Sequence, residues 1–280
     1  MSYYLMQNNI ANSIQPCGGL KPAQDSNKFI DAHCHLTDKR IFSNLDQEIS
    51  EANKLGVSHF ISVVLCREEF EMMKLPKFQK LRKMVNWTAG IHPHYEKTDE
   101  EDFNYLVELC DEQQIIAIGE IGLDNRNADF NWQKKMLLMQ LDLAANYDLP
   151  VVFHCVRQYY ELHKILKSNF QKVRGFLHAF NASKEIFEEF SKFDLAFSIN
   201  CKPPKDNVIR AVLKRGFYLF ETDAPAMRPR ELNEDFNHLR NLMWSVERIS
   251  NISGVDMQEL AAIQAKSFEQ IFGFTLENNL

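Results

Sequence analysis

No stretch of this chain stays apolar for the ~18–20 residues that a membrane-crossing helix needs, so no membrane span is expected. Positive charge is not in excess either: 32 Lys and Arg stand against 38 Asp and Glu, a net charge of −6. A broad electrostatic grip on duplex nucleic acid is therefore not expected, and any contact with nucleic acid has to be a local site. The 6 cysteines are scattered and contain no Cys-x-x-Cys pair. Neither a disulfide framework nor a zinc knuckle follows, and the pattern reads as reduced thiols in a cytoplasmic protein. The first Lys is residue 21 and no apolar segment follows the start, so no secretory signal is expected. There is no internal repeat and, past the first 28 residues, no low-complexity tract.

What remains is a 280-residue chain that is 45% hydrophobic, enough for one large core. Residues 1–28 are rich in Asn, Gln, Ser and Gly and read as a poorly ordered arm. From Phe29 on, short apolar runs alternate with amphipathic segments. Phe29–Leu36, His59–Leu65, Val85–Ile91, Ile115–Glu120, Pro150–His154, Gly175–His178, Leu195–Ile199 and Phe217–Asp223 read as strands. Ser43 is expected to cap the first intervening helix, Thr98 with Glu101 to form a capping box, and Ser183 to cap another helix. A long helix is expected over Asn131–Tyr147, and two more near 235–250 and 256–272 close the chain. Near-continuous apolar strands separated by helices predict a parallel sheet buried on both faces. Eight repeats predict an α/β fold of the (β/α)8 barrel type: a single domain over 29–274 with a short tail at 275–280.

The polar residues at the strand ends carry the chemistry. His33 and His35 are two apart, so they share one side of a strand while Cys34 faces the other. His92 and His94 follow the third strand, Glu120 ends the fourth, His154 the fifth, His178 the sixth and Asp223 the eighth. Each alone has an ordinary structural reading: a hydrogen-bonded core histidine, a paired carboxylate, a turn starter. Together they converge, because in a barrel all strand C-termini share one face. His59, His163 and His238 fall elsewhere and fit the ordinary reading, and His94 is the weakest of the rest. Imidazoles with carboxylates suit Zn, Mn, Fe, Co or Ni, and Mg less readily. Four histidines, one Glu and one Asp exceed the needs of one four-coordinate ion, whereas two ions bridged by Glu120 would use them all.

The motifs Asp-Ala-His-Cys-His-Leu (31–36), Gly-Ile-His-Pro-His (90–94), Ile-Gly-Glu-Ile-Gly-Leu-Asp (118–124), Pro-Val-Val-Phe-His (150–154) and Glu-Thr-Asp-Ala-Pro (221–225) resemble those of the TatD family of metal-dependent deoxyribonucleases. The resemblance runs from about 28 to 274. It implies two divalent ions (Mg, Mn or Zn). His33, His35 and Asp223 would lie at one, His154 and His178 at the other, with Glu120 between. It places His92 near the scissile group and Glu221 close by. The implied activity is hydrolysis of DNA, most often 3′-to-5′ on single strands. The pattern departs in places. Val156 stands where the family often has Arg, with Arg157 next. Phe180-Asn181-Ala182 replaces Phe-Ser-Gly, the loop after Pro225 carries Met227-Arg228-Pro229-Arg230, and Ser267 replaces Asn.

On this reading Glu120, Asp223 and His92 are the catalytic candidates, with Asp223 as proton acceptor. Arg157, Arg228, His92 and Glu221 are candidate substrate contacts. Arg126, Lys202, Lys205 and Arg230 also follow strand ends, though a solvated charge is the plain reading of each. Tyr95 and Tyr159 could stack bases. Two competitors stand beside the nuclease. One is an ester or amide hydrolase, such as a D-aminoacyl-tRNA deacylase, on the same metals. The other is a non-catalytic scaffold barrel, with a protein partner held by the arm or by the 226–235 loop.

Overall fold

The computed structural model describes residues 28–95, 100–126 and 129–276. The expected arm up to residue 27 and Thr98 of the expected capping box lie outside the described residues. Among the described residues, eight strands form one sheet in sequence order: β1 (Phe29–Cys34), β2 (Val57–Val64), β3 (Val85–Ala89), β4 (Ala117–Asp124), β5 (Val151–Val156), β6 (Arg174–Leu177), β7 (Asp194–Ile199) and β8 (Tyr218–Phe220). Every adjacent pair from β1–β2 to β7–β8 is parallel. Helices stand between them: α1 (Lys39–Phe42), α2 (Leu45–Lys54), α3 (Arg67–Met73), α4 (Pro76–Gln79), α5 (Glu100–Asp111), α6 (Phe130–Asn146), α7 (Tyr159–Asn169), α8 (Lys184–Phe190) and α9 (Asp206–Arg215). Two further helices, α10 (Asn241–Ser253) and α11 (Met257–Phe272), follow β8. This is the expected (β/α)8 barrel.

The core has two layers, as strands buried on both faces require. An inner cluster joins Ile30, Ala32, Ile61, Val152, Phe176 and Leu219, and Phe268 and Ile271 of α11 pack against it. A larger outer cluster lies between strands and helices. The β1–β8 edge is closed by individual hydrogen bonds. Toward the strand C-termini, the Asp223 N–H donates to His33 O at 2.9 Å and the His35 N–H to Ala224 O at 2.8 Å. The buried Asp31 carboxyl accepts from the Thr222 N–H at 2.9 Å and from its hydroxyl at 2.6 Å. Toward the other end, the Gln264 amide donates to Ile30 O at 2.6 Å and accepts from Ile30 N–H at 3.2 Å, while Ser267 Oγ accepts from Tyr218 N–H at 3.1 Å. Gln264 and Ser267 thus make side-chain bonds to the backbone of β1 and β8, where a strand neighbour would otherwise stand.

Several local expectations are corrected. Ser43 ends α1, its hydroxyl donating to Lys39 O at 2.7 Å, and Asn44 precedes α2. Ser183 does cap α8, accepting from the Ile186 N–H. β4 does not stop at Glu120 but runs on to Asp124. Its register against β5 shifts between Gly119 and Ile121, leaving Glu120 as the unpaired residue of a bulge. A bulge re-aims a side chain, and here it aims a carboxylate. The helix expected near 235 begins only at Asn241. Asn237 holds the preceding segment by donating to Thr222 O at 2.7 Å.

Candidate metal centre

The functional side chains lie on or just past β1, β3, β4, β5, β6 and β8. β1 delivers His33 and His35, whose ring centroids are 5.1 Å apart, while Cys34 joins the outer core. Asp223 arrives just past β8, its Oδ1 3.3 Å from His35 Nε2 and 3.6 Å from His33 Nε2. Glu120 lies between two groups. Its Oε2 is 3.4 Å from His33 Nε2, and its Oε1 is 2.7 Å from His178 Nε2 and 3.4 Å from His92 Nε2. His154 Nδ1 also contacts Glu120 Oε1 and lies 3.1 Å from His178 Nε2. All six expected ligands, His33, His35, Glu120, His154, His178 and Asp223, are thus brought together.

Among the described residues three sets could hold a cation, with their ligand atoms within 4.8 Å of one another: His33, His35 and Asp223; His33, Glu120 and His178; His92, Glu120 and His154. The donor chemistry fits divalent ions. His33 is wholly buried, and neither ring nitrogen has a hydrogen-bond partner among the described residues. Its Nε2 faces carboxylate oxygens of Glu120 and Asp223 at distances too long for hydrogen bonds. A buried nitrogen and two oxygens facing one point is costly unless a cation satisfies them.

The electrostatics agree. Burial opposes ionisation of Glu120, yet His178, His92 and His154 hold its carboxyl well below the usual range. Burial likewise opposes the Asp223 charge, and His35 and His33 outweigh it. Burial works against the His178 imidazolium, but Glu120 and Glu221 raise its proton affinity; His154 is raised against burial by Glu120 and Asp124. His92 differs: burial pushes it down to about 4, despite the Glu120 charge. It is neutral at pH 7, and its Nδ1 accepts from the His94 N–H at 3.1 Å. The ring proton therefore sits on Nε2, facing Glu120, which makes His92 a hydrogen-bond donor rather than a ligand.

The substrate candidates fare differently. Glu221 is wholly buried, so it touches no substrate; that expectation is corrected. It sits 3.5 Å behind His178 Nδ1, held by Ser198 Oγ, by the Ala179 N–H at 2.8 Å and by Asn200 Nδ2 at 3.2 Å. Arg228 is exposed, but its guanidinium donates to Glu234 O of its own loop. Glu234 in turn binds Arg240 at 2.7 Å and Asn241 at 2.6 Å, so the 226–235 loop is tied to α10. Arg157 is exposed just past β5, in the left-handed region at φ 56°. Tyr159 packs against Phe180 and Phe190, whereas Tyr95 is 38% exposed beside His92. His59, His163 and His238 make structural bonds with Asn86, Glu189 and Glu48.

The sequence reading gave no role to Asp124 or Asp31. Asp124 is wholly buried, and its Oδ2 lies 2.9 Å from His154 Nε2. A carboxylate closing an apolar strand four residues after Glu120 was the available signal. Burial pushes Asp31 up to about 8, against its bonds from Thr222.

Comparison with known proteins agrees with this fold. The family model described as TatD related DNase matches residues 30–273. A "3'-5' ssDNA/RNA exonuclease TatD" of Erwinia tasmaniensis is 29% identical over 259 residues, covering 87% of this chain and 99% of that protein. An "uncharacterized metal-dependent hydrolase" of Methanocaldococcus jannaschii is 26% identical over 253 residues, covering 88% and 97%. Among solved structures, a TatD homolog of Escherichia coli K12 superposes with a TM-score of 0.78 at 24% identity, covering 89% of this chain and 99% of that one. Most of the chain and the whole barrel match one family: this protein belongs to the TatD-related DNases, which are metal-dependent hydrolases.

Proposed function

We propose that this protein is a 3′-to-5′ exonuclease that hydrolyses phosphodiester bonds of single-stranded DNA with two divalent ions, Mg, Mn or Zn. The observation that carries the reading is Glu120, with one oxygen turned to His33 and the other to His178 and His154. His33, His35 and Asp223 would hold one ion, and His154 and His178 the other, with Glu120 shared. Ions held there would supply Lewis-acid chemistry, activating water at neutral pH and stabilising charge on the phosphoryl oxygens.

The chain's own groups do the rest. Asp223, held ionised by its histidines, takes the proton of the attacking water at a carboxylate oxygen. His92, neutral with its proton on Nε2, donates a hydrogen bond to a phosphoryl oxygen as charge builds on it. Arg157 on the rim binds a flanking phosphate, and Tyr95 offers a ring for a base. The nucleic-acid substrate and its polarity follow the relatives' printed activity. Among the described residues no helix is long and apolar enough to cross a membrane, and we place the protein in the cytoplasm.

The test is cleavage of end-labelled single-stranded DNA by metal-stripped protein, with Mg, Mn and Zn restored separately beside a Glu120→Ala control. Stepwise shortening from the 3′ end that needs both metal and Glu120 is expected. Metal uptake without cleavage would instead favour an ester or amide hydrolase, with D-aminoacyl-tRNA as the next substrate to try.

A further inference from the structure

We propose that Asp124 is a positioning residue that fixes the tautomer of His154 and so sets the affinity of the ion His154 holds; this rests on the reading of His154 as a metal ligand. The β4–β5 register pairs Gly122 with His154. Glu120 and Asp124 lie two residues to either side of Gly122, and the His154 ring sits between their carboxylates. Its Nδ1 contacts Glu120, and its Nε2 is 2.9 Å from Asp124 Oδ2. As a metal ligand the imidazole is neutral, so it carries one proton and can donate to only one of them.

Asp124 is built to be the acceptor. It is wholly buried, accepts from the Arg126 backbone N–H at 2.8 Å and Nε at 2.9 Å, and has His94 Nε2 2.9 Å from Oδ2. Surrounded by donors, it can only receive the His154 proton. Nε2 therefore bears the hydrogen, and the Nδ1 lone pair faces the cation site beside Glu120. The other tautomer would oppose a ring lone pair to a carboxylate oxygen at 2.9 Å and turn an N–H into the cation site. Gly122 makes this clasp possible: a Cβ there would lie 1.8 Å from His154 O. The same geometry pairs the Arg126 guanidinium with Asp124 through Nε.

Two measurements test this. In the zinc-loaded wild-type protein, a long-range nitrogen correlation spectrum reads which ring nitrogen of His154 carries hydrogen, with the signal assigned by its loss in His154→Ala. Hydrogen on Nε2 is expected; hydrogen on Nδ1 overturns the proposal without any Asp124 variant having to fold. Zinc and manganese titrations then compare Asp124→Asn, His154→Ala and the double variant. The expected result is a loss of about 10–100-fold in one binding step for Asp124→Asn. Loss in the same step is expected for His154→Ala, and no further loss in the double variant. Unchanged affinity in Asp124→Asn, or additive losses, would overturn the positioning role alone. Unchanged affinity in His154→Ala would remove the metal reading of His154 and this proposal with it.

Discussion

Replacing Gln264 by Ala opens the β1–β8 edge from the side away from the metal centre. The Gln264 amide donates to Ile30 O at 2.6 Å, approaches Phe220 O at 3.5 Å and accepts from the Ile30 N–H at 3.2 Å, all in full burial. The Ala variant leaves the Ile30 N–H and C=O unpaired, at about 1–3 kcal/mol each. It also leaves a cavity beside Phe268 and the inner core. A loss of about 3–5 kcal/mol is expected, read from the midpoint of urea unfolding at unchanged slope. Gln264→Glu keeps the acceptor and loses the donor, so it should recover part of that loss at most. Metal content of the folded fraction should not change, because the bonds that hold His33, His35 and Asp223 lie at the other end of the seam. A loss under about 1 kcal/mol in Gln264→Ala would refute the claim that these side-chain bonds close the barrel.

Three further outcomes follow from the same geometry. Gly122→Ala drives a Cβ to within 1.8 Å of His154 O, so it should separate β4 from β5 and yield protein that is unfolded or unable to bind metal, read by circular dichroism and metal content. His92→Ala should retain both ions yet lose about 10²–10³-fold in kcat, since it removes a donor to developing charge rather than a ligand; loss of metal would refute that role. Burial holds the His59 pKa down, with the Asn86 bond opposing, so the folded state binds this proton less readily than the unfolded chain. Its contribution is therefore present above the ordinary histidine range of about 6.5 and is lost as pH falls through it toward the depressed value. His59→Leu should flatten the fall in urea midpoint over that window.

Much of the fold was legible because strand burial writes itself into the sequence. Phe217-Tyr218-Leu219-Phe220 is apolar on both faces, and Ile61 and Val64 of β2 join opposite layers, as the two-layered core requires. The convergence of the site residues was legible because several polar groups end such runs at once, and a barrel brings strand C-termini to one face. What escaped depends on register and long-range bonds. The bulge at Glu120, which carries β4 on to Asp124, is a relation between two strands, and nothing in residues 115–124 alone marks it. Glu221 reads the same in sequence whether it faces solvent or the back of His178; only the bonds from Ala179 and Asn200 place it inside. Arg228 sits in a loop whose path is set by Asn237 and Glu234, a fixation that no local pattern reports.

The most direct measurement is electron paramagnetic resonance of the manganese-loaded protein. Two ions sharing Glu120 would lie about 3.5–4 Å apart. Wild-type protein should then bind two ions per chain and show an exchange-coupled signal that disappears in Glu120→Ala. One ion per chain, or two uncoupled signals unchanged by Glu120→Ala, would contradict a shared two-metal centre.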